Sequence, residues 1–368
     1  MIQSNKQNDY KVCIQKSTYH EINLDLLLNP LGGIKNFVSK DEQVLLKVNL
    51  LNATKPDKAV VTNPELVKKT AELIIKTGGI PYIGDSPSGQ FTKGRLQRVY
   101  KKSGLQKISN ELGIQLNYDT KTTKVQIPNG KKLKETVICN FVKKADKIIA
   151  LPKIKTHSYM IMTLATKHMY GIVPGLTKAK YHSLFLRRSS FADMLLDIHF
   201  ISPPHLIIID GIIGMQGEGP SGGTPVNLGI ILAAENAIAL DIAICSILNI
   251  EPVGIPVLKQ AKIRGLWPKK ITYPQLTPYD IKYNNFILPS TANYILTGKK
   301  TPSKSPVVTI LCTSCGMCQE ICPKHAITNT ATGAKINYNK CIRCYCCHEI
   351  CPEKAIEFKV LKQYTKHY

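Results

Sequence analysis

The chain lacks any apolar run long enough to cross a membrane as a helix. Its most apolar stretch, 226–250, is broken by Glu235, Asn236 and Asp241, so it falls short of the roughly 20 uninterrupted apolar residues that a span needs. The first residues, MIQSNKQNDYK, are polar and lack the apolar core of a secretory signal, and the expected location is cytoplasmic. Flavin, haem, nicotinamide and P-loop fingerprints are missing. Nothing interleaves aromatic with basic residues in the manner of a nucleic-acid platform, and no recognition motif for nucleic acid is present. Acidic residues are scarce, with 25 Asp and Glu against 49 Lys and Arg, a formal charge of +24. Such a surplus favours anionic partners, although the lysines are scattered in pairs and read chiefly as a general surface bias. Cysteine is sparing over the first 311 residues, where only Cys13, Cys139 and Cys245 occur. All three lie in apolar runs, as buried structural thiols do.

What is present over about the first 290 of the 368 residues is an alternation of strand and helix patterns. VLLKVNLL (44–51) has the pattern of a buried strand. Thr62-Asn63-Pro64-Glu65 opens a helix that Gly78-Gly79 closes, and IPYIGDSPSG then gives a strand running into a Gly84-Asp85-Ser86 turn. Strand, helix and strand at this spacing form a βαβ unit. A basic helical stretch follows over 93–113, then a hairpin turn at Pro128-Asn129-Gly130. KIIAL (147–151), HLIIID (205–210) and VNLGIILAA (226–234) continue the strands, with helices near 192–200 and over 236–249. The expected fold is α/β over 1–297, a mixed sheet with flanking helices. A Lys- and Pro-rich linker is expected at 298–306, and 307–368 form a small α+β ferredoxin-like domain.

Nine of the twelve cysteines fall between 312 and 351 and obey C-x2-C-x2-C-x3-C-P twice, 29 residues apart. The repeat extends beyond the thiols, since CPKHAI (322–327) matches CPEKAI (351–356), so the module is an internal duplication. Three closely spaced cysteines reach three corners of an iron–sulfur cubane, while the fourth corner faces away and takes its ligand from elsewhere. In two-cluster arrangements the fourth cysteine of each run serves the other cluster. This assigns Cys312, Cys315, Cys318 and Cys351 to one [4Fe–4S] cluster, and Cys341, Cys344, Cys347 and Cys322 to a second. Zinc would need only two C-x2-C pairs, and disulfides do not suit a reducing compartment. Cys346, beside Cys347, is surplus to the spacing. It reads as a small buried apolar residue, with an alternative ligand or a redox-active thiol as the other readings.

Two further segments carry chemistry. Residues 151–182 gather Lys153, Lys155, His157, Lys167, His168, Lys178 and His182 just beyond strand KIIAL, where open α/β sheets bind ligands. A cationic loop there suits a carboxylate or phosphate, although a solvated loop in a lysine-rich chain would look similar. In 205–225, a strand ends at Asp210-Gly211 before a glycine-rich loop containing Gly219, Gly222 and Gly223. Asp210 and Glu218 could hold a metal or a proton there, and the backbone could approach a ligand; a mobile surface turn is the other reading.

The P-K-x-K-T-H segment with its following G-x-x-P-G, the DGIIGMQGEGPSGGTP segment and the GDS turn together resemble the family known as domain of unknown function 362. Its members are often joined to a bacterial-type two-cluster ferredoxin module. The resemblance places Lys153, Lys155, Thr156, His157, Lys167, Gly171, Pro174, Gly175, Lys178 and His182 on one characteristic segment. Asp210, Gly211, Gly219, Pro220 and Gly223 fall on another. His168 and Glu218 stand where members usually carry asparagine. The family has no assigned activity, so two functions are carried forward. In one, an oxidoreductase uses Lys153, Lys155, His157, Lys167 and Asp210 in catalysis, with Gly219, Gly222, Gly223, Lys178 and His182 binding a small anionic substrate or second cofactor. In the other, a ferredoxin-like carrier or adaptor docks an acidic soluble redox partner of ferredoxin or flavodoxin type.

Overall fold

A computed structural model describes residues 9–297 and 304–361. Most of the expected linker lies outside the described residues, and its last three positions, 304–306, begin the strand Lys304–Val308 instead.

Ten strands form one mixed sheet. Parallel pairing runs from Leu206–Gln216 through Lys147–Leu151, Gln43–Val48 and Ile80–Gly84 to Gln115–Leu116. On the other side Thr224–Ala234 pairs antiparallel with both Leu206–Gln216 and Asp9–Lys16, and Lys270–Thr272 adds to that edge. The expected buried strand at 44–51 shows why the sheet is covered on both faces. Leu45 packs into one apolar cluster, while Val44, Leu46 and Val48 pack into another, the period-2 alternation of a central strand. Helix Pro64–Thr77 supports the second cluster with Leu66, Val67, Ala71 and Ile74. It starts where Asn63 accepts a hydrogen bond from Glu65 N and ends at Gly78 with φ 88°. Helix Ala237–Ile247, apolar on nearly every side, is buried in the first cluster.

Two segments expected as loops are largely regular. At Pro152 the chain leaves its pairing with Gln43–Val48 and forms a second strand, Lys153–His157, against the far end of Leu206–Gln216. All five of its residues are buried, so the lysine segment is no solvated loop. It continues as strand Ile161–Thr163 and helices Ala165–His168 and Gly175–Leu184. Likewise the strand expected to end at Asp210 runs on to Gln216, past a register shift between Gly211 and Ile213.

The cysteine module is a small α+β unit. Lys304–Val308 pairs with Ile356–Val360 and Ile327–Thr330 with Gly333–Ile336, and the short helices Met317–Ile321 and Cys346–Ile350 follow the two cysteine loops. The module is joined to the α/β region by Asn52 Nδ2 donating to Glu349 O (3.5 Å), Gln90 N to Glu320 Oε1 (3.2 Å) and Ser221 Oγ to His348 O (3.4 Å).

Candidate functional site: two thiol voids and a cationic cavity between the modules

The cysteine module folds so that its eight regularly spaced thiols ring two voids. One, of about 360 Å³ including space open to solvent, is lined by Cys312, Cys315, Cys318 and Cys351, and the other, of about 350 Å³ on the same measure, by Cys322, Cys341, Cys344 and Cys347. The fourth cysteine of each run therefore joins the other run's three. Backbone N–H groups already point at sulfur, from Ala326 to Cys322 (3.2 Å), Ala355 to Cys351 (3.3 Å) and Ala334 to Cys312 (3.4 Å). Such donors favour a thiolate over a thiol. Four thiols around a void, with donors aimed at the sulfurs, fit an iron–sulfur cluster. Cys346 lines the second void as well.

A third cavity, of about 720 Å³ including space open to solvent, lies between the module and the carboxyl ends of the parallel strands. Strand Gln43–Val48 supplies Lys47, the 84–86 turn Asp85 and Ser86, and strand Lys153–His157 supplies Lys155 and His157. Helices Ala165–His168 and Gly175–Leu184 add Lys167, Lys178 and His182, and the cysteine module closes it with Ile321, Cys346 and Glu349.

Charge in this cavity is unevenly matched. Lys47 and Asp85 form a buried ion pair at 2.8 Å, and Asp85 also accepts from Leu50 N (2.6 Å) and Ser86 N (2.8 Å). Among the described residues Lys155 Nζ donates only to Val60 O (2.9 Å), and Lys178 Nζ to Ser86 O. Lys167 makes no hydrogen bond or ion pair among the described residues; its ammonium lies 5.7 Å from the centre of the Tyr170 ring. Burial, then the neighbouring Lys167, pushes Lys155 down to about 7, and burial pushes Lys178 down to about 8. Burial also raises Glu349 to about 7 against the pull of Lys167 and Lys155. The histidines are neutral at pH 7, because burial drops His182 to about 3 and holds His157 and His168 well below their ordinary range. His157 Nδ1 accepts from Tyr159 N (3.1 Å) and Met160 N (3.3 Å), which leaves the ring proton on Nε2. That nitrogen lies 3.3 Å from Glu349 Oε1 without the alignment of a hydrogen bond, so the oxygen has no partner.

Of the expected site residues, the cavity brings together Lys155, His157, Lys167, Lys178 and His182. Lys153 and Asp210 do not line it. They form a sealed ion pair at 2.8 Å, both side chains fully buried, completed by Tyr19. Strand alternation would put Lys153 and Lys155 side by side, but the partner strand advances from Asp210 to Met215 while this one advances only from Lys153 to Lys155, and the irregularity separates their surroundings. The expected glycines do not line the cavity either. A Cβ on Gly219 would sit 2.2 Å from Thr156 O, on Gly222 2.5 Å from His348 Nε2, and on Gly223 2.3 Å from Gln216 O. The loop thus clamps strand Lys153–His157 and seats the cysteine module. The dinucleotide fingerprint read above as missing is present in its letters, as GEGPSG (217–222), but it joins two antiparallel strands and opens no helix, so the phosphate-binding helix end of that motif is lacking. Glu218 Oε1 accepts from Ser290 N (2.8 Å).

Sequence reasoning missed Lys47, Asp85, Glu349 and Asp241. Asp241 accepts from Ala165 N (2.7 Å) and Thr166 N (3.0 Å) and so holds the start of the short helix that carries Lys167. Gly171 makes the Lys47–Asp85 contact possible, since a Cβ there would lie 2.2 Å from Asp85 Oδ1 and 2.5 Å from Lys47 Nζ. Gly171→Ala is expected to push the ion pair apart and to cost about 1–3 kcal/mol as overpacking, read as a lower midpoint in chemical denaturation. An unchanged midpoint would show that the pair can shift freely.

A scan against protein families matches residues 44–246 to "Domain of unknown function (DUF362)" and residues 306–328 and 334–357 to "4Fe-4S binding domain". The chain is 33% identical over 275 residues to the "Thylakoid-associated protein sll1697" of Synechocystis sp., a match covering 72% of this chain and 82% of that protein. Among solved structures, the lactate racemase apoprotein from Thermoanaerobacterium thermosaccharolyticum is similar at 15% identity with a TM-score of 0.40. That match covers 63% of this chain and 55% of the other. No helix among the described residues is long and apolar enough to cross a membrane. The chain is an iron–sulfur protein with a 4Fe-4S binding module, and it belongs to the DUF362 family.

Proposed function

We propose that the chain holds two [4Fe–4S] clusters and acts as an oxidoreductase, passing single electrons to a small anionic ligand or second cofactor in the cavity between its modules. The observation that carries this reading is Cys346, which lines both the second thiol void and the cationic cavity. Cys312, Cys315, Cys318 and Cys351 would hold one cluster, and Cys341, Cys344, Cys347 and Cys322 the other. Bound there, the clusters supply one-electron transfer at potentials set by burial and by hydrogen bonds to sulfur.

The two cysteine sets differ in exposure at one position, which gives the relay a direction. Cys315 is exposed, close in sequence to the exposed Ile310 and Leu311, whereas its equivalent Cys344 is half-buried; Cys318 and Cys347 are buried alike. Electrons arrive at the set containing Cys315 from a soluble redox partner and leave at the set next to Cys346. The +24 charge favours an acidic partner of ferredoxin or flavodoxin type. Inside the cavity, Lys155, Lys167 and Lys178 hold negative charge, and Lys155 Nζ, which titrates near neutrality, is suited to hand a proton to a reduced ligand.

Iron and sulfide analysis of anaerobically purified protein, with EPR of the dithionite-reduced sample, tests the reading. About eight irons per chain and the spectrum of two interacting clusters are expected. Zinc, or only about four irons, would overturn it. Reduction by an acidic ferredoxin should slow steeply as salt rises, and a flat salt profile would remove the acidic partner.

A further inference from the structure

We infer that the cavity between the modules recognises a small dianion that also carries a hydrogen-bond donor, the chemistry shared by hydroxy- or amino-dicarboxylates and phosphate monoesters. The inference rests on the proposed reading that this cavity holds the ligand, and it specifies what that ligand is.

A charge census supplies the first part. Asp85 neutralises Lys47 at 2.8 Å, which leaves Lys155, Lys167 and Lys178 facing Glu349 across the cavity. Held as ammonium ions against a full negative charge on Glu349, they leave up to two positive charges uncompensated. Burial lowers Lys155 to about 7 and Lys178 to about 8, as it does for ammonium groups short of counter-charge, and an anion bound among them restores the charged forms. One dianion cancels both. A monoanion leaves half the imbalance, and a neutral or cationic ligand corrects none of it.

Unpartnered polar atoms supply the second part. Thr163 Oγ1, His182 Nδ1 and Glu349 Oε1 all belong to residues lining the cavity, are buried, and have no hydrogen-bond partner among the described residues. Buried polar groups are nearly always satisfied, so three such atoms on one cavity point to a missing partner. The hydroxyl of Thr163 and the three ammonium groups are donors, suited to anionic oxygens. Glu349 Oε1 accepts, and it comes from the opposite wall, on helix Cys346–Ile350 of the cysteine module. A ligand meeting both walls presents anionic oxygens to the α/β side and an O–H or N–H to Glu349. This places the donor group of the ligand on the side nearest the second thiol void, next to Cys346.

The test is calorimetry on the full-length, cluster-loaded protein under anaerobic conditions, with malate, succinate, inorganic phosphate and acetate as probes and iron counted on the same samples. Malate or phosphate should bind at least about 10-fold more tightly than acetate, since a charge-assisted contact contributes about 10- to 100-fold. Lys167→Met should weaken that binding by a similar factor, and Lys167→Arg should retain most of it. Glu349→Gln should narrow the preference of malate over succinate. Binding of malate without phosphate identifies the dicarboxylate class, and the reverse identifies the phosphate class. Equal binding of acetate, no binding of any dianion at millimolar concentration, or indifference to Lys167→Met overturns the inference. If the iron count stays near eight in that event, the relay stands without this ligand class; if the iron is absent, the relay itself fails.

Discussion

Asp210→Ala should destabilise the protein by about 3–5 kcal/mol, the usual consequence of leaving a buried charge without its partner. Asp210 is a hub. Its Oδ2 accepts from Lys153 Nζ (2.8 Å) and Asn63 N (3.0 Å), and its Oδ1 from Tyr19 O–H (2.9 Å) and Ile212 N (3.3 Å). Removing it strands a lysine with a fully buried side chain, whose pKa burial already lowers while Asp210 holds it up. At about 2–4 °C per kcal/mol for a unit of this size, the melting temperature should fall by roughly 6–20 °C. A catalytic Asp210, as its type and position in the sequence suggest, would behave differently: its loss would cost turnover and spare stability. The double substitution Lys153→Met with Asp210→Leu separates the two cases. Replacing a buried pair by apolar residues of similar volume is often neutral or stabilising, so the double variant should recover most of what Asp210→Ala loses. A double variant as unstable as the single would mean that the ion pair is not the reason Asp210 matters.

The same pair shows where the sequence stops being readable. That Lys153, Lys155, His157, Lys167, Lys178 and His182 matter together is visible because they lie within 30 residues beyond one strand. Which of them share a cavity is not, because a register irregularity between Asp210 and Met215 decides it, and register along a partner strand leaves no local trace. Lys47 did leave a trace: a lysine inside VLLKVNLL is a buried charge that needs a partner. Its partner Asp85 lies on the next strand's turn, a long-range pairing that the GDS motif did not reveal. Strands, the Asn63 cap and the hairpin were readable because alternation and turn chemistry are local.

The duplicated module makes this point within one chain. Glu320 and Glu349 occupy equivalent positions, two residues after the third regular cysteine of each run, and so do Met317 and Cys346. Glu320 is exposed and merely accepts from Gln90 N, whereas Glu349 is buried among the cavity lysines. Repeat symmetry groups the regular thiols around the two voids, since those contacts lie inside the module. Docking against the α/β region breaks the symmetry: the first repeat gives the cavity the apolar Ile321, whereas the second gives it Cys346 and Glu349. Cys346 then has a position that spacing could not supply: it is indeed buried, as its apolar reading requires, yet it stands in the wall shared by two cavities.

If the chain holds the two proposed clusters, Cys322→Ala should abolish the one whose other ligands lie in the opposite run, at Cys341, Cys344 and Cys347, and should leave the cluster of its own run intact. The thiol voids support this pairing, because Cys322 lines the second void and Cys351 the first. Iron should fall to about four per chain, with loss of the interaction between clusters in the EPR spectrum. Iron count alone does not say which cluster is lost, but a second substitution does. Adding Cys341→Ala to Cys322→Ala should remove nothing further, because both residues serve one cluster. Adding Cys315→Ala should remove the remaining iron. Ligation within each run predicts the reverse: Cys315→Ala would then be silent in the Cys322→Ala background, and Cys341→Ala would empty the protein. Cys346→Ala provides the control, with about eight irons retained, because the four regular thiols already complete the second set. If Cys346→Ala instead halves the iron, Cys346 is a ligand, and the wall between the second void and the cationic cavity is formed by the cluster itself.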